Sequence, residues 1–173
     1  IGMDHFAKAG DELSVAQRQG RLHRNFQGYS TYADCDLLAL GVSSIGNIGP
    51  TYSQNFRTLE DYYDCLDRNT LPIMRGLELS ADDLLRRAVI GALMCSFTLS
   101  KESFTTSYLI DFDKYFETEL KDLCEFEQLE LVELGADGIT VTPKGRLLVR
   151  NICMVFDRHL RQDRERRRYS RVI

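Results

Sequence analysis

A continuous apolar run at residues 37–42 constrains the fold more than any other feature of the chain. The run is Leu-Leu-Ala-Leu-Gly-Val, follows Asp36 and leads into a glycine-rich segment at 43–49. Such a run is typical of a strand buried on both faces, as in a parallel sheet covered by helices. Because glycine lets backbone approach a ligand, the turn at 43–49 is a candidate pocket wall, although chain reversal explains the glycines equally well.

The flanking residues predict two helices and a loop. We expect a short helix over 11–19 with Asp11 as its N-cap, and a loop over 20–34 because of its glycines and polar residues. Helix-forming residues resume at Thr58, where Asp61 completes a weak capping box. The character of the chain changes around Leu71-Pro72, so we predict a domain boundary there, with one unit over 1–72 and another over 73–173.

The second unit is predicted to be mostly helical. Ser80 and Asp83 form a capping box before a helix, and two more helices are expected near 101–108 and 111–126. A hairpin over 131–142 follows, and Thr142-Pro143 begins the last helix. This order resembles a winged-helix domain. The residues predicted to face the core are Leu84, Leu85, Val89, Ala92, Leu93, Phe97, Phe112, Phe116, Leu120, Leu123, Leu148, Ile152, Val155, Phe156 and His159.

The cysteine count indicates the compartment of the chain, and the distribution of charges indicates its contacts. An odd count of five isolated cysteines favours a reducing, cytoplasmic compartment and a role for each as a small core residue. No run of 18 apolar residues is present, so we expect no membrane span. Residues 101–133 carry ten acidic and three basic side chains, whereas residues 158–173 carry seven arginines and two acidic side chains. This asymmetry indicates either an interacting tail or two halves that attract each other.

Common catalytic motifs are missing from the sequence. His5, His23 and His159 lack the spacing of a helical zinc site, and no Cys-x-x-Cys pair is present, so we predict no metal ligands and no catalytic residues in this chain. Residues 41–46 have one residue too many for a hydrolase elbow, and no Gly-Lys-Ser/Thr follows them as in a phosphate-binding loop.

Several segments together resemble the oxygen-independent coproporphyrinogen III oxidases, and they match only the C-terminal portion of that family. These segments are Gly2-Met3-Asp4-His5-Phe6-Ala7, the stretch from Ala16 to Tyr29, the stretch from Gly145 to Cys153, and Tyr169-Ser170-Arg171-Val172-Ile173. The resemblance implies the last βα units of a partial (βα)6 radical S-adenosylmethionine barrel over 1–72, followed by a helical, winged-helix-like domain.

The resemblance also implies a function. Family members use a [4Fe–4S] cluster and two molecules of S-adenosylmethionine to convert two propionates of coproporphyrinogen III to vinyl groups in haem biosynthesis. By motif, Phe26, Gln27 and Ile45 match positions that contact the second S-adenosylmethionine. The family's Cys-x-x-x-Cys-x-x-Cys motif is absent here, so the cluster ligands are expected outside this chain, which alone is expected to be inactive. The whole protein is expected to be a cytoplasmic monomer with an unknown electron acceptor.

Two alternatives remain open. Haem chaperones share the fold but show a His-Asn-x-x-Tyr-Trp pattern where this chain has Asn25-Phe26-Gln27-Gly28-Tyr29 and lacks tryptophan. A winged-helix module that binds nucleic acid would need clustered basic residues, and the helices that would read the bases are acidic. We expect no nucleic-acid partner. Arg168 and Arg171 of the tail are candidates to meet substrate carboxylates.

Overall fold

The computed structural model describes residues 1–3, 5–33 and 35–162, and they form a mixed α/β structure with three small antiparallel sheets. Within these ranges the helices are α1 (Glu12–Arg18), α2 (Leu59–Asp67), α3 (Ala81–Ser96), α4 (Lys101–Tyr108), α5 (Phe112–Tyr115), α6 (Glu117–Gln128) and α7 (Val149–Met154), and residues 158–162 are also helical. The strands are β1 (His23–Asn25), β2 (Gly28–Ser30), β3 (Ile45–Ile48), β4 (Thr51–Asn55), β5 (Ile73–Glu78), β6 (Thr98–Ser100), β7 (Val132–Leu134) and β8 (Gly138–Val141).

The segment 20–34, which we expected to be a loop, contains a hairpin of β1 and β2. Asn25 lies opposite Gly28, and the side chain of Asn25 accepts a hydrogen bond of 2.8 Å from the backbone N–H of Gln27. Gly28 has a φ of +129°, which a residue with a side chain rarely adopts. The loop prediction was wrong because the hydrogen bond to the Asn25 side chain and the positive φ of Gly28 form a tight turn between two strands.

The prediction of a buried parallel strand at 37–42 was also wrong. Only Leu37 joins a sheet, through one bridge to Asn47, while Leu38 and Leu40 are 70% and 84% exposed. Gly41 has a φ of +93°, and the Asn55 side chain donates to the carbonyls of Ala39 and Gly41 at 3.2 and 2.9 Å. The carbonyls of Ala39 and Gly41, which would have to accept hydrogen bonds from a neighbouring strand, therefore bond to the Asn55 side chain instead.

The glycine-rich segment is a strand rather than a turn. Its residues Ile45–Ile48 form β3, and Gly49, with a φ of +52°, lies in the turn that leads to β4. β4 pairs with β3 on one side and with β5 on the other, so the sheet order is β3-β4-β5 and all pairs are antiparallel. β4 and β5 were not predicted.

The predicted N-caps Asp11, Thr58 and Ser80 are confirmed, whereas the reciprocal bond of a capping box is formed only at Ser80. The Ser80 hydroxyl accepts a hydrogen bond from the Asp83 backbone, and the Asp83 carboxylate accepts one from the Ser80 backbone, so the full capping box begins α3. Thr58 caps α2 through the backbone N–H of Asp61. Asp11 caps α1 as expected. Each cap satisfies backbone donors at the start of a helix that otherwise have no partner.

The C-terminal sheet has the order β6-β8-β7, which confirms the predicted hairpin of β7 and β8. β6 adds to β8, with Ser100 opposite Gly138. A Cβ at Gly138 would collide with the carbonyl oxygen of Leu99, so only glycine allows the two strands this approach. After β8, the Thr142 hydroxyl accepts from the Gly145 backbone and starts a short 3-10 turn at Gly145–Leu148 before α7.

One core lies between α3, the C-terminal sheet and the last helices. Phe116 is fully buried at the junction of α5 and α6, and its ring contacts those of Phe112 and Phe156. The single helix expected over 111–126 is therefore divided at this residue. Most of the predicted core positions are buried, namely Leu85, Val89, Leu93, Phe97, Phe112, Phe116, Leu123, Ile152 and Phe156.

Three predictions about core side chains need correction. Leu148 is 44% exposed because it ends the 3-10 turn rather than lying inside a regular helix. The side chain of His159 is half exposed, because α7 ends at Met154 and the histidine instead reaches Asp83. Cys35 and Cys124 are exposed, whereas the other three cysteines are buried as expected.

Candidate functional site

One face of the β3-β4-β5 sheet brings together residues that the sequence separates. Side chains directly opposite each other on antiparallel strands point to the same face. Two rows therefore share one face, and they are Ile45–Gln54–Arg75 and Asn47–Tyr52–Leu77. We call these six residues the ligand face. The other face is crowded near its edge, where a Cβ at Gly46 would lie 3.1 Å from the carbonyl oxygen of Leu37.

Phe26 reaches the ligand face from the tip of the β1-β2 hairpin. Its ring meets that of Tyr52 edge to face, with the ring centroids 5.3 Å apart, and 57% of Phe26 remains exposed. The hairpin is held against α3, where the Tyr29 hydroxyl donates to the carbonyl of Met94 at 3.4 Å. Of the three predicted contact residues, Ile45 thus belongs to this face and Phe26 reaches it through Tyr52.

Gln27 occupies the other position of the hairpin tip and is exposed. Its backbone N–H bonds to the Asn25 side chain. Its side-chain amide, which has no partner among the described residues, can both give and accept hydrogen bonds. An exposed aromatic ring, a free amide and an apolar Ile45 side chain suit an adenine-containing ligand, since the ring stacks and the amide bonds to base edges.

The polar part of the ligand face is ordered by side-chain hydrogen bonds. Gln54 donates to the carbonyl of Ser43 at 3.1 Å and accepts from Nε of Arg75 at 2.8 Å. Arg87 of α3 approaches from the side, with Nη1 3.4 Å from the Tyr52 hydroxyl. Tyr52, Arg75 and Arg87 were not identified from the sequence. The signal for β4 was the Tyr-Ser-Gln alternation after the Gly49-Pro50 turn.

A network of charged side chains lies beside this face, at the start of α3. The guanidinium of Arg158 donates to Asp82 at 2.9 Å and to Asp83 at 3.0 Å, and Nε2 of His159 lies 2.8 Å from the Asp83 carboxylate. Arg86 donates to Asp82 at 2.9 Å and to the buried Glu119 at 2.8 Å. Each of these acids thus has at least one basic partner.

The network changes the acidity of its members. Burial raises the pKa of the Asp83 carboxyl, but hydrogen bonds from Ser80 and His159 and the charge of Arg158 outweigh it and bring that pKa down to about 2. Burial also opposes the ionisation of Asp82, yet hydrogen bonds from Tyr115 and Arg86 lower its pKa. Both carboxylates are therefore charged at neutral pH, which suits a structural ion-pair network rather than a proton donor.

Neither a metal centre nor a membrane helix is found in the part of the chain that the structure describes. There, no three His, Cys, Asp or Glu side chains come together in a group that could hold a metal ion. Likewise, over residues 1–3, 5–33 and 35–162, every helix is too short or too polar to cross a membrane.

Comparison with known proteins identifies the relatives of the chain. Residues 79–148 match the HemN C-terminal domain. The chain is 52% identical over its whole length to the oxygen-independent coproporphyrinogen III oxidase of Pseudomonas aeruginosa, and 49% identical to that of Escherichia coli, of which it covers 37% and 38%. This chain matches the C-terminal part of oxygen-independent coproporphyrinogen III oxidases. The resemblance inferred from sequence motifs is therefore confirmed.

A solved structure agrees with the sequence matches. The coproporphyrinogen III oxidase of Escherichia coli, described as a radical SAM enzyme, superposes with a TM-score of 0.89 at 49% identity. The superposition covers 92% of this chain and 37% of the oxidase. The chain thus spans less than two fifths of the length of these oxidases, and its mixed α/β fold is that of their C-terminal part.

Proposed function

We propose that this chain is the C-terminal part of an enzyme that oxidatively decarboxylates coproporphyrinogen III to protoporphyrinogen IX. Its contribution would be to hold one molecule of S-adenosylmethionine through Phe26, Gln27 and Ile45. The supporting observation is that Phe26, nineteen positions before Ile45 in the sequence, contacts Tyr52 on the sheet face to which Ile45 also belongs. The compared relatives are named as oxidases rather than haem chaperones.

We attribute the [4Fe–4S] cluster to the part of the relatives that this chain does not span. Together with such a cluster, S-adenosylmethionine would supply the radical chemistry of the reaction. The residues of this chain would bind and orient. The ring of Phe26 packs on the adenine, Gln27 bonds to its polar edge, and Ile45 excludes water from the apolar side.

The division into two units also remains a proposal. The sequence predicts units over 1–72 and 73–173; we propose that the first, the last part of a partial (βα)6 barrel, extends to about residue 78, and that the winged-helix-like domain begins there. The three-stranded sheet β6-β8-β7 beside α3 and α4 favours the second description. Pairing of β5 with β4 favours a boundary near residue 79, where the match to the HemN C-terminal domain begins.

A chimera tests this function. The chain aligns with the Escherichia coli oxidase over 173 residues, so it can replace the C-terminal part of that enzyme at nearly constant length. We expect the chimera to convert coproporphyrinogen III. Phe26→Ala should weaken binding of S-adenosylmethionine about tenfold, since stacking on an aromatic ring contributes roughly 1–3 kcal/mol.

Leu147→Ala provides the matched control, because Leu147 is 77% exposed on the 3-10 turn, away from the ligand face. Its affinity for S-adenosylmethionine should equal that of the unsubstituted chimera. The assignment of Phe26 would be refuted by an unchanged dissociation constant in Phe26→Ala. An inactive chimera with intact iron and folding would count against the enzymatic function itself.

A further inference from the structure

A cavity of about 280 Å³ lies between the ligand face and helix α3. Tyr52 and Leu77 line it from the sheet, and Arg87 and Ile90 line it from the helix. The cavity is therefore continuous with the face that Phe26 reaches through Tyr52. It is smaller than most pockets that enclose a whole ligand, but it is large enough for a flexible side arm of one.

The arginines around this cavity fall into two groups. Arg86 and Arg158 each bond to at least two carboxylates, so their charges are compensated within the chain. Arg87 differs from them. Its contacts are with Tyr52, whose ring centroid is 5.9 Å from the guanidinium carbon, and no carboxylate of the described residues lies within 4 Å of it. Arg87 thus brings a guanidinium without a carboxylate partner among the described residues to the wall of a cavity that Asp83 and Asp157 also line.

Arg75 is a second arginine of this kind on the same face. Its Nε donates to Gln54, which fixes the guanidinium, and both terminal nitrogens remain available because no carboxylate in the described part of the chain pairs with them. Arg75 lies opposite Gln54, one row from Tyr52, and diagonal neighbours across strands are within reach of long side chains. Among the described residues, two arginines without a carboxylate partner therefore lie at this sheet face, Arg87 beside Tyr52 and Arg75 one row away from it.

A guanidinium fork of this kind matches the geometry of a carboxylate, which accepts two parallel hydrogen bonds from it. We propose that Arg75 and Arg87 bind aliphatic carboxylates of the bound ligand, while Phe26 and Tyr52 form the apolar wall between them. This inference rests on the proposed function, which supplies two ligands with such a group. These are the porphyrinogen, through its propionates, and S-adenosylmethionine, through its amino-acid carboxylate.

Equilibrium binding to the same chimera tests the inference without turnover. The probes are coproporphyrin III, the stable oxidised form with four propionates, mesoporphyrin, which has two, and S-adenosylmethionine. Arg75→Gln and Arg87→Gln should each weaken binding of the carboxylate-bearing partner about tenfold, as expected for a hydrogen bond to a charged group. Arg87→Lys keeps the charge but loses the fork, so it should recover part of the affinity.

The matched control is Arg150→Gln, because Arg150 is exposed on α7 and makes no contact with the ligand face. It should change no dissociation constant. Weaker binding of coproporphyrin III, with a smaller preference over mesoporphyrin, would identify the propionates as the bound groups. Weaker binding of S-adenosylmethionine alone would identify its carboxylate instead.

Unchanged binding of all three probes in both glutamine variants would overturn the inference, even if the chimera is fully active. Another result would separate the carboxylate site from the proposed enzymatic function. If the unsubstituted chimera binds coproporphyrin III, loses that affinity in Arg87→Gln and yet forms no product, the carboxylate site stands and the proposed enzymatic function fails.

Discussion

Replacement of Asp83 by asparagine should destabilise the chain by about 2 kcal/mol at pH 7. The carboxylate is 7% exposed and is bound by Ser80, Arg158 and His159, and its pKa is about 2 rather than the usual 3.8. Each unit of difference between folded and unfolded pKa corresponds to about 1.4 kcal/mol, which gives the stated free energy. For a chain of this size the melting temperature should fall by about 4–8 °C.

The contribution of the Asp83 carboxylate to the free energy of unfolding should decrease at low pH. The folded carboxyl has the lower pKa, so its contribution is complete above about pH 5 and is lost as the pH falls towards 2. About half of it should remain near pH 3. Urea unfolding of wild type and Asp83→Asn at pH 7 and pH 3 measures both values.

Asp113→Asn serves as the control, because Asp113 also forms an ion pair, with Lys101 at 2.7 Å, but its side chain is 61% exposed. Exposed pairs contribute less than about 1 kcal/mol, so this variant should melt close to wild type. The reasoning is refuted if Asp83→Asn melts within about 1 °C of wild type, or if its deficit is the same at pH 3 as at pH 7.

Three further predictions concern thiols and glycines. Burial raises the pKa of Cys95 to about 11 and that of Cys153 to about 12, so at pH 8 iodoacetamide should label the two exposed cysteines well before these two, as peptide mass spectrometry would reveal. Gly91→Ala should raise the free energy of unfolding by about 0.5–1 kcal/mol, because a Cβ there meets open space within helix α3. Gly138→Ala should lower it by about 1–3 kcal/mol, because the added methyl collides with Leu99. Denaturant titration of both variants distinguishes these signs.

Features fixed by neighbouring residues could be predicted from the sequence. The capping box of Ser80 and Asp83 depends on a spacing of three residues, and the hairpin of β7 and β8 depends on a short turn, so both were found. The prediction of Phe26 and Ile45 as contact residues comes from motif resemblance, and their position at a common sheet face could not be derived from periodicity.

Features fixed by distant residues were missed. The apolar run at 37–42 indicates burial, but the positive φ of Gly41 and the hydrogen bonds from Asn55 decide its conformation, and Asn55 is fourteen positions further along the chain. His159 lies on a helical period that α7 does not continue, and its partner Asp83 is 76 positions earlier. Arg75 and Arg87 differ from the surrounding arginines in lacking a carboxylate partner among the described residues, and this difference is seen only once the partners of Arg86 and Arg158 are known.

The ion pairs of Arg158 and Arg161 alter how the arginine-rich end of the chain would respond to salt. Arg158 is compensated by Asp82 and Asp83, and Arg161 by Asp122 at 2.9 Å. Of the seven arginines from residue 158 onwards, five then remain against Asp163 and Glu165. Arg168 and Arg171, which lie outside the described residues, belong to those five. Added salt weakens the attraction between an anionic ligand and this segment. The size of that decrease should therefore correspond to three net positive charges rather than five.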